Sequence, residues 1–227
     1  MTKQNLTSIN IVLDRSGSMT KLTAETISGF NKFLAEQKAV DGAATLTLAT
    51  FASDYTLVHD FIALSDVPEL TLTNYRTGGY TSLLDALART IDATGVKLAS
   101  MSEEERPGKV IFVVITDGQE NFSREFTREQ VFEKITHQRE KYSWEYVFLG
   151  ANQDAIAEGM KLGVSGLNSV TFTADSAGVA SNYSSISSNM STYRRNSAQQ
   201  VSFFDQGTTV TPAPHVGVTA DIKPDTK

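Results

Sequence analysis

Two apolar runs that each end in an aspartate constrain this chain more than any other feature. Ile9-Asn10-Ile11-Val12-Leu13 runs into Asp14, and Val110-Ile111-Phe112-Val113-Val114-Ile115-Thr116 runs into Asp117. Near-continuous apolar runs of strand length belong to a sheet covered on both faces, which points to parallel strands with helices above and below. The second run, over 109–116, is the most apolar stretch and is the expected middle strand. Chain leaving an extended strand points alternate side chains the same way. Asp14, Ser16 and Ser18 therefore offer oxygens to one point beyond the first strand, and Gly17 lets that loop turn tightly. A donor set made only of oxygens suits a hard cation, Mg²⁺ or Mn²⁺.

Periodicity and turn signals place the other elements. Strands are expected over 5–13, 44–52, 55–64, 109–116, 144–150 and 169–173, and helices over 20–40, 82–100, 128–141, 154–162 and 174–195. The first helix is expected to bury Leu22, Ala24, Ile27, Phe30, Phe33 and Leu34. The second is expected to bury Leu83, Leu84, Leu87, Ile91 and Val96, and the third Val131, Phe132 and Ile135. Only Ser53-Asp54 separates the second and third strands, and so short a link forces an antiparallel hairpin. The alternation as a whole predicts a doubly wound α/β sheet, mainly parallel with one antiparallel edge strand and helices on both faces. Ligands of such sheets bind beyond the carboxyl ends of the strands, where the strand order reverses. Residues 1–195 are expected to form one domain. Residues 196–227, with Pro212, Pro214 and Pro224 and no helical period, are expected to be a flexible tail. Within that tail Val201-Ser202-Phe203-Phe204 is apolar enough to dock on its own domain.

Asp-x-Ser-x-Ser alone is a common turn and helix-capping pattern. Here it is joined by Gly78-Gly79-Tyr80-Thr81-Ser82, which puts a hydroxyl just before a helix, and by Thr116-Asp117-Gly118. With these stretches the chain resembles the von Willebrand factor type A domain carrying a metal ion-dependent adhesion site, over nearly all of residues 5–195. The resemblance implies that Ser16, Ser18 and Thr81 touch the cation, and that Asp14 and Asp117 often act through water. It also implies a binding function, in which an Asp or Glu carboxylate of a partner protein completes the coordination. A second role that it implies is that of an adaptor delivering clients to a separate AAA+ ATPase of the MoxR or chelatase type. Ile115-Thr116-Asp117-Gly118-Gln119-Glu120-Asn121 and Leu149-Gly150-Ala151-Asn152-Gln153-Asp154 resemble prokaryotic and phage members. The loops after the strands nominate Arg15, Met19, Tyr80, Gln119, Glu120 and Asn121 as the partner-binding rim. Tyr80, an aromatic beside a cation, is the strongest of these; Glu120 and Asn121 stay open between partner contact and helix capping.

Composition narrows the alternatives. A chain of 227 residues, 40% hydrophobic, can build one large core. Its net charge of −6 and lack of a basic stripe give no basis for nucleic-acid binding. There is no cysteine for a disulfide or thiolate site, and His59, His137 and His215 lack zinc-ligand spacing. A dehalogenase-type phosphatase would need an acid two residues after Asp14, where Ser16 stands. Neither a nucleotide-binding Gly-x-x-x-x-Gly-Lys-Ser/Thr loop nor a Gly-x-Ser-x-Gly elbow occurs, so the chain is not expected to be an enzyme. No apolar stretch approaches the ~20 residues that span a bilayer, and no apolar leader precedes the first strand. The expectation is a protein of the cytoplasm, or a virion component if phage-encoded, with no membrane contact.

Overall fold

Odd and even residues of the apolar runs face opposite ways, and each set has its own helices to cover it. The computed structural model describes residues 2–151, 154–196 and 203. Its strands are β1 (Lys3–Asp14), β2 (Ala43–Phe51), β3 (Tyr55–Ala63), β4 (Pro107–Thr116), β5 (Glu145–Ala151) and β6 (Ser169–Phe172). The helices are α1 (Thr23–Lys38), α2 (Leu83–Ser100), α3 (Arg128–Tyr142), α4 (Ala155–Lys161) and α5 (Ser176–Arg195). The sheet order is β3-β2-β1-β4-β5-β6, with β3 antiparallel to β2 and every other pair parallel. This is the doubly wound α/β arrangement that the sequence predicts, with β1 and β4 at its centre.

On one face Ile9, Ile11, Leu13, Ile111, Val113, Ile115, Val147 and Leu149 pack against Phe30 and Phe33 of α1 and Val179, Ile186 and Met190 of α5. On the other, Val12, Val110, Phe112, Val114, Tyr146 and Phe148 pack against Leu84, Leu87 and Ile91 of α2 and Val131 and Ile135 of α3. Asn10 interrupts the apolar run of β1 yet is fully buried, because its amide donates to the Ile111 carbonyl at 3.2 Å and accepts from the Thr94 hydroxyl at 3.2 Å.

Three local expectations change. The segment expected to open the first helix is a 3-10 helix, Gly17–Leu22, and α1 proper starts at Thr23. Its tighter turn sets residues three apart over one another, which buries both Met19 and Leu22, at 1% and 3% exposed. Ala24 lies at the surface. Val96 and Phe132, read as core, are 72% and 44% exposed, since α2 and α3 cover the sheet with other faces. Of the expected tail, only Asn196 and Phe203 fall within the described residues. Phe203 is buried, 5.6 Å from the Tyr193 ring, and its N–H donates to Asn168 Oδ1 at 2.9 Å. Among the described residues no helix is long and apolar enough to cross a membrane.

Candidate metal centre

The strand order reverses between β1 and β4, and the carboxyl ends of those two strands carry Asp14 and Thr116 side by side. Asp14 is fully buried. Its Oδ1 accepts the Ser16 N–H at 2.7 Å and its Oδ2 accepts the Thr116 hydroxyl at 2.6 Å. Burial raises its pKa to about 6 despite those hydrogen bonds, with a smaller push from the charge of Asp117. The loop beyond is pinned by backbone bonds to the segment before α2, from Gly17 N–H to the Gly79 carbonyl at 3.0 Å and from Gly78 N–H to the Arg15 carbonyl at 2.8 Å. Gly79 has φ +82, a conformation that suits glycine, and a Cβ there would lie 2.7 Å from Ser53 Oγ. From below, the buried Tyr75 hydroxyl donates to the Asp14 carbonyl at 2.6 Å.

All five predicted ligand residues meet at this point. Ser16 Oγ and Ser18 Oγ are 3.1 Å apart, and Ser18 Oγ donates to Asp117 Oδ1 at 2.5 Å. Thr81, buried at the head of α2, is held by its own backbone. Its N–H donates to Asn121 Oδ1 at 2.9 Å, and its carbonyl accepts from Asn121 and Phe122 at 3.1 and 3.2 Å. A Cβ on Gly118 would stand 3.0 Å from Thr81 Oγ1, 3.3 Å from Ser18 Oγ and 3.8 Å from Asp14 Oδ2. Glycine at 118 is thus what leaves that space to the converging oxygens. Burial also raises the pKa of Asp117, against the hydrogen bond from Ser18. A buried and a half-buried carboxylate with three hydroxyls, and no nitrogen or sulfur, fit a small hard cation. Among the described residues no group of three or more His, Cys, Asp or Glu forms a metal cluster, so the hydroxyls are essential to any such site.

The rim differs more from expectation. Met19 is 1% exposed and packs in the core under α1, so it has no surface to offer a partner. The Glu120 carboxylate accepts N–H groups from Leu84, Phe122 and Ser123 at 3.0, 2.8 and 2.7 Å, closing its own loop and capping α2. Glu120 thus caps α2, and Asn121 is likewise engaged with Thr81. Arg15 pairs with Asp54 at 2.6 Å. Gln119 is exposed, and Tyr80, 62% exposed, stacks on Phe122 with ring centroids 5.0 Å apart. Sequence reasoning missed Phe122, Arg124, Tyr75, Thr116 and Asp85. The Asp85 carboxylate accepts the N–H groups of Arg124, Glu125 and Phe126 at 2.9, 3.0 and 2.9 Å. An aspartate inside the apolar stretch Leu83-Leu84-Asp85-Ala86-Leu87 was the available signal.

The model of the von Willebrand factor type A domain matches residues 8–201. The chain belongs to that family. Among solved structures, the type A fold recurs in proximal thread matrix protein 1 from the mussel byssus, at TM-score 0.56 and 15% identity over 84% of this chain and 46% of that one. A von Willebrand factor type A protein from Catenulispora acidiphila follows at TM-score 0.51 and 13% identity, over 82% of this chain and 42% of that one. The D319A mutant of the PilB minor pilin from Streptococcus sanguinis gives TM-score 0.54 and 12% identity, over 84% and 62%. At such identities the likeness is one of fold, and this type A chain spans under half the length of the mussel and Catenulispora proteins. A further structure of the mussel protein, at TM-score 0.56, 16% identity and coverage of 82% and 46%, is described as having a zinc-occupied MIDAS motif. No curated protein matches the sequence.

Proposed function

We propose that this type A domain is a divalent-cation-dependent protein-binding module, not an enzyme, and that it captures an Asp or Glu carboxylate of a partner. The observation that carries this reading is the approach of Thr81 Oγ1, Ser18 Oγ and Asp14 Oδ2 to the space that Gly118 leaves free. Ser16, Ser18 and Thr81 would hold Mg²⁺ or Mn²⁺ directly, with Asp14 and Asp117 orienting the hydroxyls and the water around it. When bound, the cation supplies a position where an anionic oxygen can replace water. Asp117 accepts the Ser18 hydroxyl, which leaves the Ser18 lone pairs to the site, while Asp14 accepts the Ser16 N–H and the Thr116 hydroxyl and so fixes the loop that carries both serines. With neutral hydroxyls as its direct ligands, the cation keeps its charge toward the open position, where an acidic side chain can bind. The zinc-occupied motif of the mussel protein supports the reading by family likeness. Delivery of clients to an AAA+ ATPase would use the same capture step, and no feature of the structure favours it over stand-alone binding.

Calorimetry and thermal melting with Mg²⁺ and Mn²⁺ test the reading on wild type, Asp14→Ala and Ser16→Ala. Cation at a hundredfold its dissociation constant is expected to stabilise the wild type by about 2.7 kcal/mol. Both substitutions are expected to abolish that gain while far-UV dichroism reports a folded chain. Failure of the intact protein to bind either cation would remove the reading.

A further inference from the structure

Beside the candidate metal centre stands a three-layer stack. Tyr80 lies against Phe122 at 5.0 Å with planes 15° apart, and the Arg124 guanidinium lies 4.5 Å above the Phe122 ring. Phe122 is the middle layer. The backbone beneath is fixed, since Phe122 N–H bonds the Thr81 carbonyl and Arg124 N–H bonds Asp85 Oδ2. The stack is therefore attached to the ligand residue Thr81 itself.

Arg124 differs from three of the arginines around it. Arg15 is paired with Asp54, Arg128 with Glu158, and Arg89 with Glu125, the residue next to Arg124. Arg124 is exposed and has no carboxylate within ion-pair distance among the described residues. A guanidinium set over a ring and not paired with a carboxylate has N–H donors to offer, in the fork that fits a carboxylate. The chain as a whole carries −6, so its general field repels acidic segments. An acidic partner must then be drawn by local positive points, and the rim provides one.

We propose that the partner recognised here presents two acidic side chains on one extended segment, the first for the cation and the second for Arg124. Tyr80, 62% exposed, is the apolar floor under the chain between them. The proposal rests on the metal-dependent reading above and adds a rule for which acidic segments are chosen.

Fluorescence anisotropy with the full chain separates the two ideas. The probes are labelled Gly/Ser peptides with one Asp, and the same peptides with a Glu added two, three or four residues after it. In Mg²⁺ at least one two-acid peptide is expected to bind about fivefold tighter than the one-acid peptide, the upper range for an exposed charge pair. Arg124→Gln should bring it to the one-acid affinity, and Phe122→Leu, which removes the middle layer, should shrink the gain. Equal affinities for all peptides, or a gain that survives Arg124→Gln, overturns the two-acid rule and leaves the metal reading standing. If chelator changes the binding of none of the peptides, the metal reading falls and this proposal with it.

Discussion

Gly118 sets how closely the oxygens of the candidate centre can approach one another. Its missing Cβ is the difference between a cradle and a filled site, because a methyl there would stand 3.0 Å from Thr81 Oγ1. Gly118→Ala is therefore expected to reduce Mg²⁺ affinity at least tenfold in calorimetry while shifting the metal-free melting temperature little, since the atoms its methyl meets are side-chain oxygens of the site. An unchanged affinity would place the cation away from this point. Asp14 is different in kind, being buried and hydrogen-bonded to two elements. Its removal perturbs the metal-free fold as well as the site. Gly118 is thus the cleaner probe of coordination, because Asp14 also holds the Ser16 N–H and the Thr116 hydroxyl.

At the scale of elements, the loop between β4 and α3 is held by two carboxylates. Glu120 ties it to the start of α2, and Asp85, in the first turn of α2, receives three of its N–H groups. Asp85→Ala leaves those donors to water or to nothing, a loss of about 2 kcal/mol in denaturant unfolding. Amide exchange of Arg124, Glu125 and Phe126 should become fast, and protection there equal to wild type would show that the loop holds itself. Such a clamp was hard to read in the sequence because its partners lie about 40 residues apart. Strands were legible because alternate apolar residues of β1 and β4 must satisfy two covered faces at once. The five candidate ligand residues were legible because each follows a strand or opens a helix. Met19 was not, because a 3-10 helix replaces the expected helical start and turns that side chain inward. Glu120 was undecided, since a carboxylate in a loop looks the same whether it caps a helix or faces a partner.

The whole molecule has two poles, with the candidate centre at the carboxyl ends of the strands and a second buried polar group at their amino ends. There Glu145 opens β5, accepts from Asn168 Nδ2 at 3.3 Å, and through Asn168 is linked to the N–H of Phe203. Phe203→Ala empties a site that is 1% exposed and is expected to lower stability by about 3 kcal/mol while leaving Mg²⁺ affinity unchanged in calorimetry. A fall in affinity would mean that the poles are coupled through the sheet. Burial pushes the Glu145 carboxyl up to about 7, against the opposing pull of the Arg139 charge and the Asn168 hydrogen bond. A raised carboxyl makes the protonated form the one the fold prefers, so its stabilising contribution is complete below 4.5 and is lost as pH rises through 7. The full swing is on the order of 3 kcal/mol at ~1.36 kcal/mol per pH unit. Asp14, raised to about 6, gives a slope of the same sign in metal-free protein, so the informative quantity is the difference between wild type and Glu145→Gln. Glutamine keeps an acceptor for Asn168 and cannot ionise. Urea titrations in chelator from pH 4.5 to 8 should therefore find Glu145→Gln gaining on wild type as pH rises, and parallel curves would mean that water reaches this pole and solvates the carboxylate.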